Sequence, residues 1–127
     1  MPSFLTIEEV LESHAEQIAH YGGSEGIRDL GLLESALAQP EATFDGQYLQ
    51  AGLCEMAAAY LYHIVQNHPF LDGNKRVGLE AALLFLEING ITIEATNSEL
   101  VELTLEVAQG VATKASVAAF FSNHQEA

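Results

Sequence analysis

Lysine and arginine are scarce in this sequence. There are four of them against 18 aspartates and glutamates, a formal charge of −14 at pH 7 over 127 residues. That deficit argues against nucleic acid as a partner, because phosphate backbones are bound by cations clustered along a face. It argues equally against an anionic membrane surface. The acidity itself reads as a device for solubility. Cysteine is scarcer still. Cys54 stands alone, so no internal disulfide forms. Its setting among Met56, Ala57 and Ala58 in an apolar helical pattern marks a small buried hydrophobe rather than a nucleophile. No early basic-plus-apolar segment resembles a signal peptide, and no apolar run approaches the ~20 residues of a membrane span. The expected location is the cytoplasm. Repeats, linkers and low-complexity tracts are missing as well.

What is present suits a globular chain: 49% apolar residues and 17% charged, in a length that fits one domain around one core. The pattern predicts helices joined by short turns. Thr6 and Glu9 form a capping box ahead of "IEEVLESHAEQIAHY", which Gly22-Gly23 closes. Asp29 caps "LGLLESALAQ", which stops at Pro40. Residues 41–50 have no helical period and read as an extended loop or a short hairpin. A long helix follows from about Ala51 to Asn67, with Cys54, Ala57, Ala58, Leu61, Ile64 and Val65 at three- and four-residue spacing. It should end near His68, before Pro69. The next helix begins around Lys75 or Arg76, and its body "GLEAALLFLEI" is apolar on most sides, which predicts a central, enclosed helix ending at Asn89-Gly90. "ITIEA" is a candidate strand without a partner. Thr96 and Glu99 make a second capping box before "LVELTLEVAQ", and a last helix spans roughly Lys114 to Asn123. The fold class is all-α.

Two of the four cations, Lys75 and Arg76, sit together in "HPFLDGNKR" (68–76), between two helices. A helix start exposes unpaired N–H groups and the positive end of the macrodipole, and Gly73 lets an anion approach the backbone. The combination suits a polyphosphate. Asp72 is a hard oxygen ligand of the kind that shares Mg²⁺ with substrate phosphates. His68, as a neutral imidazole, is suited to accepting a hydroxyl proton. Phe70 reads as the apolar pin of the loop. Taken singly, these are ordinary turn residues beside a surface Lys-Arg pair; the combination is what carries information. Elsewhere, His14, His20, His63 and His124 share no metal-ligand spacing and read as structural or surface residues. Tyr48, Tyr60 and Tyr62 read as core or rim packing ahead of lining a nucleotide cleft. Arg28 fits no motif position and is expected to pair with a neighbouring acid.

"HPFLDGNKR" resembles the signature of the Fic/Doc superfamily, and most of all its Doc (death-on-curing) branch, H-x-F-x-D-G/A-N-K-R, at every specified position. The flanking "YGGSEGIRDLGLLESAL" and "FLEINGI" resemble the same branch. The resemblance spans nearly the whole chain. It implies a compact helical bundle, a single Fic/Doc domain over residues 1–127, with a helix–loop–helix active site. It also implies roles: His68 as general base, Asp72 as the Mg²⁺ ligand, Gly73, Asn74 and Lys75 as the anion-binding turn, and Lys75 and Arg76 on phosphates. Residues 41–50 would be the flap on which a target segment docks. AMP-transferring relatives resemble H-P-F-x-D/E-G-N-G-R-x-x-R; here Lys75 replaces the second glycine and Leu79 the last arginine. Both departures favour transfer of the ATP γ-phosphoryl group to a Ser or Thr hydroxyl over nucleotidyl transfer. A toxin of this branch implies an antitoxin protein as partner and a protein target, of which translation elongation factor Tu is the branch's best known. A catalytically silent binding protein is the third reading, and the intact His-Asp-Asn-Lys-Arg set opposes it. The sequence departs from the Doc pattern at Val77-Gly78, where Thr-Ala is usual, and its charge would repel an acidic antitoxin segment.

Overall fold

The computed structural model describes residues 1–126; Ala127, the last residue of the expected domain, lies outside them. The described chain is all-α, as expected. In order it forms α1 (Ile7–Tyr21), α2 (Leu30–Ala38), a hairpin of β1 (Thr43–Phe44) and β2 (Gln47–Tyr48), then α3 (Leu53–Asn67), α4 (Asn74–Ile88), α5 (Asn97–Ala108) and α6 (Lys114–Asn123).

The capping residues act as their spacing predicts. Thr6 accepts the Glu9 N–H at 3.1 Å, and Glu9 accepts the Thr6 N–H at 2.8 Å. Thr96 and Glu99 repeat that exchange at the head of α5, and Asp29 caps α2 through the Leu32 N–H at 3.0 Å. Thr113 opens α6 in the same way, with Ser116 as the reciprocal partner. Residues 41–50 take the hairpin option. Thr43 pairs with Tyr48 and Phe44 with Gln47, and Asp45-Gly46 turn the chain at positive φ, which is the Asp-Gly preference of a two-residue turn.

Two expectations are corrected. "ITIEA" is not a strand: Ile93 makes one isolated bridge to Gln125, because only the chain's tail lies alongside it. Nor is α4 the central helix, although seven of its 15 residues are buried. That place belongs to α3, nine of whose 15 residues are buried and which packs on α2, α4, α5 and α6. Ala57, Ala58 and Ala59 are fully buried on it, and their small side chains let several helices approach. α4 leaves Glu80, Glu87 and Ile88 exposed. The α3–α4 contact is close at Gly78, where a β-carbon would stand 3.1 Å from Val65 Cγ2 and 3.5 Å from Ile64 Cγ2 and Leu61 Cδ1. The loop from His68 to Gly73 therefore joins the two helices with the most extensive mutual packing.

Candidate active site

α3 ends abruptly. His68 caps it with φ 50° and ψ 53°, in the left-handed region. A residue before proline is pushed towards extended backbone, and a β-carbon disfavours the left-handed region, though histidine tolerates it better than most. Such a corner costs on the order of 1–3 kcal/mol and needs holding. The connection between α1 and α2 holds it. Arg28 Nε donates to the His68 carbonyl at 2.6 Å and Arg28 Nη2 to the Asn67 carbonyl at 2.8 Å. The backbone N–H groups of Arg28 and Asp29 donate to the Pro69 carbonyl at 2.7 and 3.0 Å, and Leu71 N–H donates to the Gly26 carbonyl at 3.2 Å. Ile27 and Phe70 form an antiparallel bridge between them. The expectation that Arg28 pairs with an acid is thereby corrected. Its partners are carbonyls that a helix end leaves without intrahelical donors, where a cation is also favoured by the dipole.

Past this corner the loop turns into the core. Phe70 is fully buried and lies under the His14 ring, centroids 3.8 Å apart and planes within 9°. His14 Nε2–H donates to the Asp72 carbonyl at 2.8 Å. Asn74 is buried too. Its Oδ1 accepts the Phe70 N–H at 2.9 Å and its Nδ2 donates to the Phe70 carbonyl at 3.0 Å, so its side chain ties the loop rather than facing a ligand. The Asp72 carboxylate is oriented from two sides: Oδ1 accepts the Gly73 N–H at 3.0 Å and Oδ2 the Ser24 N–H at 3.2 Å. Gly23, at φ 115°, keeps this carboxylate in place by having no side chain, since a β-carbon would sit 2.8 Å from Asp72 Oδ2 and push it aside.

Gly73, at φ 79°, starts α4 without any side-chain cap, and no acid stands in the first turn. The opening amides of α4 thus keep their free hydrogen-bonding capacity beside Lys75 and Arg76. A cavity of about 370 Å³ lies here, lined by His68, Asp72, Gly73, Asn74, Lys75 and Arg76 and walled by Val65 and Ala108. The loop residues given a catalytic or phosphate-binding role all line this one space, and Phe70, the apolar pin, lies in the core beneath it. Arg76 is steadied by Tyr21, its guanidinium 4.3 Å from the ring centroid. A second, apolar cleft of about 230 Å³ adjoins it between α4 and α5, lined by Leu79, Val101, Thr104 and Leu105, with Lys75 and Arg76 shared by both.

Among known proteins, the match runs through α1 to α4 and the loop between α3 and α4: residues 4–86 fit the Fic/DOC family. The chain belongs to the Fic/DOC family. Its Fic/DOC relatives include Toxin Doc of Mycolicibacterium smegmatis, 43% identical over 95 residues, which is 75% of this chain and 71% of that one. Protein kinase doc of Escherichia phage P1 is 36% identical over 111 residues, 87% of this chain and 86% of its own.

The sequence does not reveal the supporting roles of four residues: His14, Gly23, Ser24 and Arg28. His14 did leave a signal, since Val10, His14 and Ile18 are the buried residues of α1 at four-residue spacing, and a histidine on such a stripe must find a polar partner. Ser24 acts through its backbone N–H and Gly23 through its lack of a side chain, so neither leaves a residue-type signal. Tyr60, His63 and His124 are structural, and His20 is a surface residue. Tyr60 is fully buried, with its hydroxyl accepting the Leu5 N–H at 3.0 Å. His124 joins Glu99 at 3.2 Å, and His63 meets Lys114 at 3.1 Å. Cys54 is buried, and burial pushes its thiol pKa up. No described helix is long and apolar enough to cross a membrane.

Proposed function

We propose that this chain is a Doc-like toxin and ATP-dependent protein kinase, acting as a single domain over residues 1–127. It passes the γ-phosphoryl group of ATP to a Ser or Thr hydroxyl of a target protein. The observation that carries this reading is the single cavity that gathers an imidazole, a carboxylate, two cations and an uncapped helix start. Relatives named Toxin Doc and Protein kinase doc support it.

His68 accepts the proton of the attacking hydroxyl. The hydroxyl oxygen bonds to the γ-phosphorus, the bond to the β–γ bridging oxygen breaks, and ADP leaves. Lys75, Arg76 and the first amides of α4 offset the phosphate charge, in the manner that dominates phosphoryl transfer. Asp72 fits a divalent cation held jointly with phosphates: its carboxylate is exposed, and one amide on each oxygen leaves lone pairs free. It does not make a cage alone, because no group of three His, Cys, Asp or Glu gathers among the described residues. Bound there, Mg²⁺ would neutralise and orient the phosphates. Asn74 holds the loop in shape, and Gly73 gives the phosphates access to the backbone. The apolar cleft beside Lys75 and Arg76 suits the rest of a nucleotide. Leu79 lines that cleft and has no charge for a second phosphate contact, which favours phosphoryl over AMP transfer.

The hairpin at 43–48 is proposed as the docking flap; Phe44 is 76% exposed on it. Elongation factor Tu is the first acceptor to test, an antitoxin protein the expected partner, and the cytoplasm the setting. The deciding experiment supplies ATP labelled separately at the α and γ phosphates, with lysate and purified elongation factor Tu as acceptors. Label arriving from γ alone is expected. Label from α would replace the reading with AMP transfer, and none from either, with partner binding intact, would leave a silent binding protein.

A further inference from the structure

We infer that Arg28 is a positioning residue for His68, setting the direction of the catalytic imidazole through the backbone of the residue that carries it. The inference rests on the kinase reading for its consequence, but not for its geometry.

Three observations combine. First, His68 alone turns the chain between α3 and the loop, in a left-handed conformation that its side chain and the following Pro69 both disfavour. The direction in which the Cα–Cβ bond carries the imidazole away from the chain follows from that φ and ψ. Second, Arg28 binds the carbonyls of two successive peptides, the one joining Asn67 to His68 and the one joining His68 to Pro69. Its Nε and Nη2 reach the two successive carbonyls at 2.6 and 2.8 Å. A planar fork with fixed spacing holds two carbonyls in one relative orientation, which a single ammonium does not. Third, the Arg28 backbone is itself anchored, with its N–H on the Pro69 carbonyl at 2.7 Å. The same residue thus holds the carbonyls of 67, 68 and 69. Nothing comparable fixes His68 from its own side chain, for which no hydrogen bond is found among the described residues. Arg28 does not line the cavity, so its action on the reaction runs through His68. In a chain with four cations, one is spent on this corner.

The prediction separates orientation from binding. Arg28→Ala and Arg28→Lys are compared with the wild type for kcat, for MgATP affinity by calorimetry, and for the His68 imidazole and backbone resonances by NMR. Arg28→Ala should lower kcat ~10–10²-fold, the scale of a small misplacement, with MgATP affinity within about twofold, since the Asp72–Arg76 half of the loop has its own holders. Its His68 resonances should leave left-handed values while those of Asp72 to Asn74 stay. Arg28→Lys should recover part of kcat and part of the shift, because it supplies one donor direction in place of two. The inference falls if Arg28→Ala keeps full kcat and unmoved His68 resonances, or if kcat and affinity fall together as the whole loop loosens. Should Arg28→Ala fail to fold, Arg28→Lys decides: wild-type kcat and resonances there overturn the inference, and a graded loss confined to His68 supports it. If the wild type transfers no phosphoryl group, the kinase reading fails by itself, and the His68 resonances still decide what Arg28 does.

Discussion

His68 must be reachable from the cavity while the residues that follow it are committed to the core. The left-handed corner meets both demands, exposing His68 while Pro69 and Phe70 stay buried. Removing the imidazole should then cost chemistry without costing structure. His68→Ala is expected to lower phosphoryl transfer by ~10²–10⁴ and to leave MgATP affinity nearly unchanged, because no phosphate contact is asked of it; single-turnover rates beside calorimetry check this. Asp72 has the opposite profile. With its oxygens oriented by Ser24 and Gly73, Asp72→Ala should abolish the Mg²⁺-dependent part of nucleotide affinity, and an unchanged titration with and without Mg²⁺ would remove it from the site. At this scale the sequence is legible where residue types gather in one short segment. His68, Asp72, Gly73, Asn74, Lys75 and Arg76 were picked out, and all line one cavity. It was mute for Arg28 because the partners of Arg28 are main-chain carbonyls, which every residue has and no residue type announces.

Element boundaries were legible for the same reason that caps are local. Thr6-Glu9, Asp29 and Thr96-Glu99 sit within one turn of what they bond. The failures were non-local: the missing partner of Ile93, and the choice between α3 and α4 as the axis, depend on what else folds nearby. Gly78 shows how the two levels trade. In isolation it costs about 1 kcal/mol of helix propensity against alanine. In place it lets α4 close to 3.1 Å between a would-be β-carbon and Val65, so the Val-Gly departure from the Thr-Ala pattern is a packing choice. Gly78→Ala should lose ~1–3 kcal/mol to overpacking, partly offset by propensity. Adding Val65→Ala should open that contact and give positive coupling in a denaturation cycle; additive losses would refute the steric account. The α3–α6 joint has its own signature. Burial, helped by the Lys114 charge, pulls the His63 pKa down to about 4, below its ordinary value of 6.5. The unfolded chain therefore takes up the proton first, so the contribution of this contact is full above about pH 6.5 and is lost as pH falls towards 4. His63→Gln should flatten that acid limb of the stability–pH curve, measured by urea melts at pH steps.

The distribution of charge is the property of the whole molecule that bears most on function. Three of the four cations belong to the loop: Arg28 on its first corner, Lys75 and Arg76 on its last. The fourth, Lys114, is engaged with His63. The 18 acids leave a strongly negative molecule with one small positive mouth, and a nucleotide approaching it meets opposing fields at different ranges. At ionic strength about 0.01 M the Debye length is ~30 Å, well beyond the ~14 Å radius of gyration of a chain this long. The net charge of −14 is then felt as a unit and repels a polyphosphate. Near 0.15 M the Debye length is ~8 Å, and the nucleotide senses chiefly Lys75, Arg76 and the start of α4. The association rate of MgATP should therefore rise as salt goes from about 0.01 to 0.15 M, opposite to the steered binding of a positively charged protein to an anion. Stopped-flow fluorescence with a labelled ATP analogue gives the rate directly. Lys75→Ala and Arg76→Ala should slow association at the upper end while leaving the low-salt repulsion in place. A rate that falls steadily from the lowest salt would mean that the local cations dominate at every range. The same field applies to any protein that docks near the mouth, so an antitoxin segment that binds tightly at low salt must bring cations or carry little charge of its own.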